Sequence, residues 1–593
     1  MNKKFAALLV LSALLPISCG DNQQSSLNEP PPAPPGAQRP AQQPLVRDQD
    51  AGRTGQPTPA ESEGRVQMIK SASDTAGAVD AQTVLLHPVA KLEAARQSLA
   101  EKSYGAAPHH DYAATAHTQQ VWNRESYDAV AENRFINSRN DPLSTFSIDV
   151  DTASYANVRR FIQGGSLPPG GAVRAEEMIN YFKYMDPEPM DGKPFALRAE
   201  AGPSPFHEGY RLLRIGLKAR DLDPVQRPAS NLVFLIDVSG SMNQPNKLPL
   251  LKQSLKLLVE QLNERDRVSV VVYAGSDRVV LSPTPGSEHD TISQAIEHLH
   301  SGGSTHGSKG ILTAYELAKR CYMPEGNNRV ILVSDGDFNV GVTSRSELQK
   351  LIEDQRTSGI YLSVLGFGDG NFQDDTMELL ADKGNGNYAY IDSLLEAKKV
   401  LLKEFSGTLF TLANDVKIQV EFNPNLVGAY RLIGYENRAL EDEDFKDDAK
   451  DAGEIGMGHQ VTALYELIPT GHPDIPQVDQ LKYQAAVPQP ETVENELLTV
   501  KLRYKPRSTA ASTQISVAVT DSQNQLSGLS NDFRFAAAVA GFAMLLKESE
   551  HLGNFSWDGC LDLARGARGA DEQGYRAEFI RLVEMGQLLK KSS

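Results

Sequence analysis

The sequence predicts an α/β fold, a doubly wound and mostly parallel sheet, with an accessory β-rich, α+β region built from the segments that flank it. Three observations carry this expectation. Strand-like and helix-like patterns alternate between residues 231 and 408, as they do where helices cover both faces of a parallel sheet. Residues 232–236 form an unbroken apolar run, the pattern of a strand buried on both faces. After Thr408 the order changes, with strands first and helices last, which marks a separate α+β unit.

The first segment is a targeting signal. Lys3 and Lys4 precede an apolar run over residues 5–15, too short to span a bilayer as a helix. Residues 1–18 therefore read as a signal peptide, and Ser18-Cys19 resembles a bacterial lipobox, with lipid attached at Cys19. Pro16 stands where such a box usually has Leu, and Leu15 lies one place early. Residues 19–120 are rich in Pro, Gln, Gly and Ala and read as a largely disordered tether. A flexible coil of about 95 residues would hold the body roughly 50–60 Å from the membrane. The expected location is the cell envelope, on a bacterial membrane facing the periplasm or the exterior.

The segment over residues 121–225 holds a strand at 145–150 and a helix through 157–163, with Asp151 or Thr152 as its cap. A second helix at 173–182 and strands at 195–201 and 210–217 follow. In the central domain, residues 229–408, strands are expected at 232–238, 267–273, 279–282, 329–334, 361–367 and 388–391. Helices are expected at 247–263, 290–300, 308–320, 344–356 and 393–405. In the first of these, Leu248, Leu251, Leu255, Leu258, Val259 and Leu262 form one apolar stripe. The C-terminal segment, residues 409–593, carries strands at 416–422, 461–468, 497–504 and 513–519 and helices at 533–548 and 574–590. Strands from 145–217 are expected to pair with those from 416–520 in a β-sandwich.

The chemistry gathers where the run at 232–236 ends, at Asp237-Val-Ser239-Gly-Ser241. Ligands of open α/β sheets bind at the carboxyl ends of strands, and a carboxylate with two hydroxyls there suits a hard cation. The spacing resembles the metal-ion-dependent adhesion site of von Willebrand factor A (VWA) domains. The resemblance implies two more ligands from later loops, and by position these are Thr305 and Asp335. It implies a divalent cation, Mg²⁺ first and Mn²⁺ or Ca²⁺ as alternatives, that captures a carboxylate from a protein partner. Residues 142–155, 173–182, 432–438 and 451–465 resemble bacterial VWA lipoproteins with an N-terminal VWA-associated segment and a C-terminal domain of unknown function.

Simpler readings compete for each fragment. Ser239 or Ser241 could cap the next helix, and Asp335-Gly336 could be an ordinary turn. Asp337, His306, His459 and the acidic run over 441–448 are expected to serve no ligand. A formal charge of −17 argues against a nucleic-acid partner. Cys321 and Cys560 are expected to stay unpaired. No Gly-x-Ser-x-Gly, His-Glu-x-x-His or phosphate-loop motif occurs, so binding is expected rather than catalysis. A metal-assisted envelope hydrolase and a structural protein with a vestigial site are the alternatives.

Overall fold

The computed structural model describes residues 125–592, apart from 128–129, 149–150, 224–226, 275, 303–306, 337–344, 371–372, 405–409, 449, 451, 478–494, 507–510 and 522–523. The N-terminal flank contributes β1 (Ile136–Asn137), β2 (Leu143–Ser147), α1 (Ala153–Gln163), α2 (Ala175–Asn180), β3 (Phe195–Pro203) and β4 (Arg211–Ala219). The centre contributes β5 (Ser230–Asp237), α3 (Leu248–Val259), β6 (Arg267–Ala274), β7 (Ser276–Pro285), α4 (His289–Glu297) and α5 (Gly307–Arg320). It continues with β8 (Asn327–Ser334), α6 (Arg345–Thr357), β9 (Tyr361–Phe367), α7 (Asp374–Lys383), β10 (Tyr388–Ile391) and α8 (Leu394–Lys398), which runs on as a π-helical turn, Lys399–Lys403. The C-terminal flank supplies β11 (Thr411–Phe422), β12 (Val427–Ile433), β13 (Ala439–Leu440), β14 (Ile455–Gly456), β15 (Gln460–Pro469), β16 (Glu496–Lys505) and β17 (Thr513–Thr520). Helices α9 (Asn531–Lys547), α10 (Trp557–Gly566) and α11 (Tyr575–Ser592) follow.

The central sheet has the order β10-β9-β8-β5-β6-β7 and is parallel except for its antiparallel edge strand β7. Side chains alternate across β5. Leu232, Phe234 and Ile236 pack with α3, α4 and the 397–401 turn, while Val233 and Leu235 pack with α5, α6 and α7. Helices thus cover both faces, and the sheet is doubly wound. The chain leaves β5 toward β6 and β7, then crosses back to β8 on the other side. That reversal is a topological switch point, where two neighbouring strands send their loops apart and open a crevice.

The flanks meet in space. β11 lies between β2 and β16, and β15 lies between β12 and β4, so strands from both ends of the chain share two antiparallel sheets. Leu213, Ile215 and Leu217 face Val416, Ile418 and Val420 in the core between those sheets. The alternate residues Leu212, Ile433 and Leu464 point out of the sandwich and are covered by α2, α9, α10 and α11. Helix α9, rich in Ala and Phe, is buried from Phe535 to Leu545, as its apolar circumference requires.

Charge docks the flanks on the centre. Arg159 from α1 binds Asp392 at 2.6 Å and Glu396 at 2.6 Å. Arg174 binds Glu378, and Arg438 binds Asp382 at 2.7 Å and Glu378 at 3.1 Å. The expected cap of α1 does not form: Thr152 makes no side-chain cap bond, and Asp151 instead accepts the Tyr388 amide of β10 at 2.9 Å. Both Cys321 and Cys560 are free.

Candidate metal centre

Strand β5 is buried throughout, and its last residue, Asp237, is fully enclosed. The Asp237 carboxylate accepts the Ser239 amide at 2.7 Å, closing a turn of the kind a short acidic side chain makes on its own backbone. The turn brings Ser239 Oγ and Ser241 Oγ to 2.9 Å of each other. The helix-cap reading does not hold for Ser239: it precedes the 3₁₀ turn Gly240–Asn243 and its side chain accepts no capping bond.

On the neighbouring strand, β8 delivers Asp335, also fully buried. Gly336 follows at φ 97°, a left-handed conformation that lets the chain turn away at once. Below the carboxylates, the Tyr273 hydroxyl of β6 faces Asp237 and Ser334; burial first, then the Asp237 charge, holds its pKa well above the ordinary phenol value. The Gly302 amide donates to the Val238 carbonyl at 2.7 Å, so the segment that leads to Thr305 begins at the rim of the site. Thr305, His306, Asp337 and Cys19 lie outside the described residues.

One participant was missing from the sequence-based set. Lys247 Nζ donates to Asp335 Oδ2 at 2.9 Å, with 2 % and 0 % of the two side chains exposed. Lys247 immediately precedes α3, where the helix dipole disfavours a cation. The buried Asp335 carboxylate compensates the ammonium there. Its aliphatic chain runs over Gly368, where an added Cβ would come within 2.2 Å of Lys247 Cε.

The donor set suits a small divalent ion. The two serine hydroxyls share a hydrogen bond at 2.9 Å, a separation also compatible with adjacent oxygens of an octahedron, roughly 2.9–3.0 Å apart at a metal–oxygen distance of about 2.1 Å. Asp237 and Asp335 would supply the charge, Asp237 from directly beneath the serine turn. Among the described residues no three His, Cys, Asp or Glu side chains form a metal cluster. Two carboxylates with hydroxyls make a sparser, more open site than such a cluster.

Comparison with known proteins agrees with the fold. The von Willebrand factor type A domain model matches residues 231–404, a von Willebrand factor model matches 121–214, and the model described as "Uncharacterized protein YfbK, C-terminal" matches 407–589. YfbK of Escherichia coli (strain K12) is 44 % identical over 456 residues, 75 % of this chain and 78 % of that protein. The chain belongs to the YfbK family of VWA proteins. VWA domains typically serve protein interaction and adhesion. Inter-alpha-trypsin inhibitor heavy chain H1 of Sus scrofa shares 28 % identity over 200 residues, 32 % of the present YfbK-family chain and 22 % of the inhibitor chain. Among solved structures, a von Willebrand factor type A protein from Catenulispora acidiphila aligns at 15 % identity, covering 65 % of this chain and 89 % of its own, with a TM-score of 0.36.

Proposed function

We propose that this protein captures a protein partner by an acidic side chain, through a divalent cation held by Asp237, Ser239, Ser241 and Asp335, with Thr305 as the fifth expected ligand. The observation that supports the reading is the pair of buried carboxylates at the carboxyl ends of two adjacent strands, with two hydroxyls 2.9 Å apart in the turn that follows Asp237. A bound divalent ion would supply an electrophilic position for a carboxylate oxygen of the partner.

Lys247 gives the site its sign. By formal charge Asp237, Asp335 and Lys247 are together singly negative, which would repel an acidic partner. A divalent ion changes that sum to +1, so attraction for a carboxylate depends on the ion being present. The serine hydroxyls are neutral donors and leave this charge undiminished. Site charge is therefore a switch between refusing and accepting an acidic ligand. The same reading anchors the chain to a bacterial envelope membrane by lipid on Cys19, and it assigns binding rather than turnover to the site.

The test is retention of envelope proteins by the purified full-length chain, with Mg²⁺ and with chelator, alongside calorimetric titration of Mg²⁺ and Mn²⁺. Asp237→Ala and Asp335→Ala should abolish both metal binding and retention. Retention that survives chelation and both substitutions refutes the proposal. For the anchor, Cys19→Ser should release the chain from the membrane fraction, and continued membrane association would refute it.

A further inference from the structure

A second site lies on the opposite half of the central sheet. A cavity of about 60 Å³ opens between β8, β9 and β10, the 399–403 turn and the flanking domain. Its floor is apolar, formed by Ile331, Leu365, Val400 and Leu401. Arg329, near the start of β8 and 1 % exposed, also lines it.

This arginine differs from the other fully buried arginines. Arg214 holds Asp186 and Arg431 holds Glu466, at 2.6 and 3.2 Å. Among the described residues no carboxylate lies within ion-pair reach of Arg329. It donates one bond to Ser363 Oγ at 2.6 Å and lies 5.6 Å from the centre of the Tyr361 ring, and its Nε has no hydrogen-bond partner. Burial, partly opposed by Tyr361 and Glu454, pulls the guanidinium down to about 10. The acids that line the cavity are otherwise engaged. Asp151 accepts the Tyr388 amide, and Glu404 is flanked by Lys399 at 3.2 Å and Lys183 at 3.7 Å.

An enclosed guanidinium with no carboxylate in contact is unfavourable, and a planar anion would relieve it through two parallel N–H bonds. We infer that the cavity binds a short-chain carboxylate, its head on Arg329 and its apolar tail along Ile331, Leu365, Val400 and Leu401. The space equals a few water molecules, which sets the ligand at roughly four to six heavy atoms. Inorganic anions lack the tail that this apolar floor would bury.

The experiment uses the full chain in chelator, so that no ion at the Asp237 site can attract carboxylate. Butyrate, inorganic phosphate and butylamine are titrated by calorimetry and by thermal shift, against sodium chloride at equal ionic strength. Butyrate should bind saturably and raise the melting temperature, and butylamine should do neither. Arg329→Met should weaken butyrate by roughly tenfold or more, and Arg329→Lys, which keeps the charge but not the fork, should weaken it measurably. If Arg329→Met does not fold, the lysine variant and wild-type titrations decide. Absence of saturable binding at tens of millimolar butyrate would mean that only water fills the cavity and would overturn the inference. So would phosphate binding more tightly than butyrate, or affinity unchanged in both variants.

Discussion

Replacing Lys247 by Met separates the charge logic of the proposed metal site from its geometry. The ammonium lies 2.9 Å from Asp335 Oδ2, and both side chains are almost wholly buried. At an effective dielectric of about 20, the bare attraction across that distance is about 6 kcal/mol. Desolvation offsets part of it, and removing one partner of such a pair costs about 3–5 kcal/mol, because the other charge stays buried. For a domain of this size that corresponds to a fall in melting temperature of roughly 6–20 °C in chelator. Methionine keeps most of the chain that lies over Gly368, so lost packing contributes little. Divalent ions should then restore more stability to Lys247→Met than they add to the wild type, since the variant site carries −2 and offers Asp335 without competition. An ion at about 100 times its Kd adds about 2.7 kcal/mol. Thermal unfolding with and without Mg²⁺, paired with calorimetric titration, reads both effects. A variant that melts with the wild type in chelator, or gains no more from Mg²⁺, refutes the role given to Lys247.

Other perturbations report on the surroundings. Gly368→Ala forces a side chain onto φ 79° and into the Lys247 chain, and should lower stability by about 1–3 kcal/mol in urea titration; an unchanged midpoint would contradict the contact. Arg214→Met leaves Asp186 buried without its two bonds at 2.8 and 2.6 Å, and should cost about 3–5 kcal/mol. Pairing it with Asp186→Leu should recover most of that loss, and no recovery would show that the ion pair is not the cause. His459 is half-buried and its pKa is held down to about 4, by burial first and then by Lys183. The unfolded chain therefore binds the proton more readily, so this contribution is complete above the ordinary histidine pKa of about 6.5 and fades as pH falls toward 4. The span amounts to about 3 kcal/mol at most, and His459→Gln should flatten the stability curve over that window. Glu125→Ala should weaken Mg²⁺ binding severalfold without touching a ligand, and identical titrations would exclude the coupling argued below.

The central sheet was legible because its strands and helices obey their own periods. The run at 232–236 and the leucine stripe of α3 became a buried strand and a core-facing helix. The strand expected at 279–282 extends to Ser276–Pro285 as the antiparallel edge, with most of its residues exposed or half-buried, so its apolar signal was weak. Helix α7 escaped notice for the opposite reason. Asp374 and Glu378 occupy buried positions where periodicity looks for apolar residues, because Arg174 and Arg438 meet them there. Helix α10 and strand β12 were missed as well. Sandwich pairing across more than two hundred residues was foreseeable in kind, but the partners and register follow from tertiary packing, as where Gln419 comes opposite Thr145. At the candidate site, Asp237, Ser239, Ser241, Thr305 and Asp335 could be named from the sequence by motif resemblance alone. Lys247 could not, because a lone lysine before a helix carries no spacing signature until its buried partner is known.

The flanking domain also reaches the candidate metal site through a short series of contacts. Arg160 grips Glu125 at 3.1 and 2.9 Å, and the same carboxylate accepts the Gly370 amide at 2.9 Å. Ser126 pairs with Gln373, fixing the other end of the loop after β9. That loop contains Gly368, the surface on which the Lys247 chain rests before it bonds Asp335. A buried lysine can hold a carboxylate in one place only if its own stem is held, and here the stem is held by a loop fastened from outside the VWA domain. Displacement of the 125–126 segment would free the loop, then the lysine, and so alter both the position and the charge balance of Asp335. If the proposed site holds an ion, the N-terminal flank should therefore help to set its affinity, although none of its residues is among the proposed ligands.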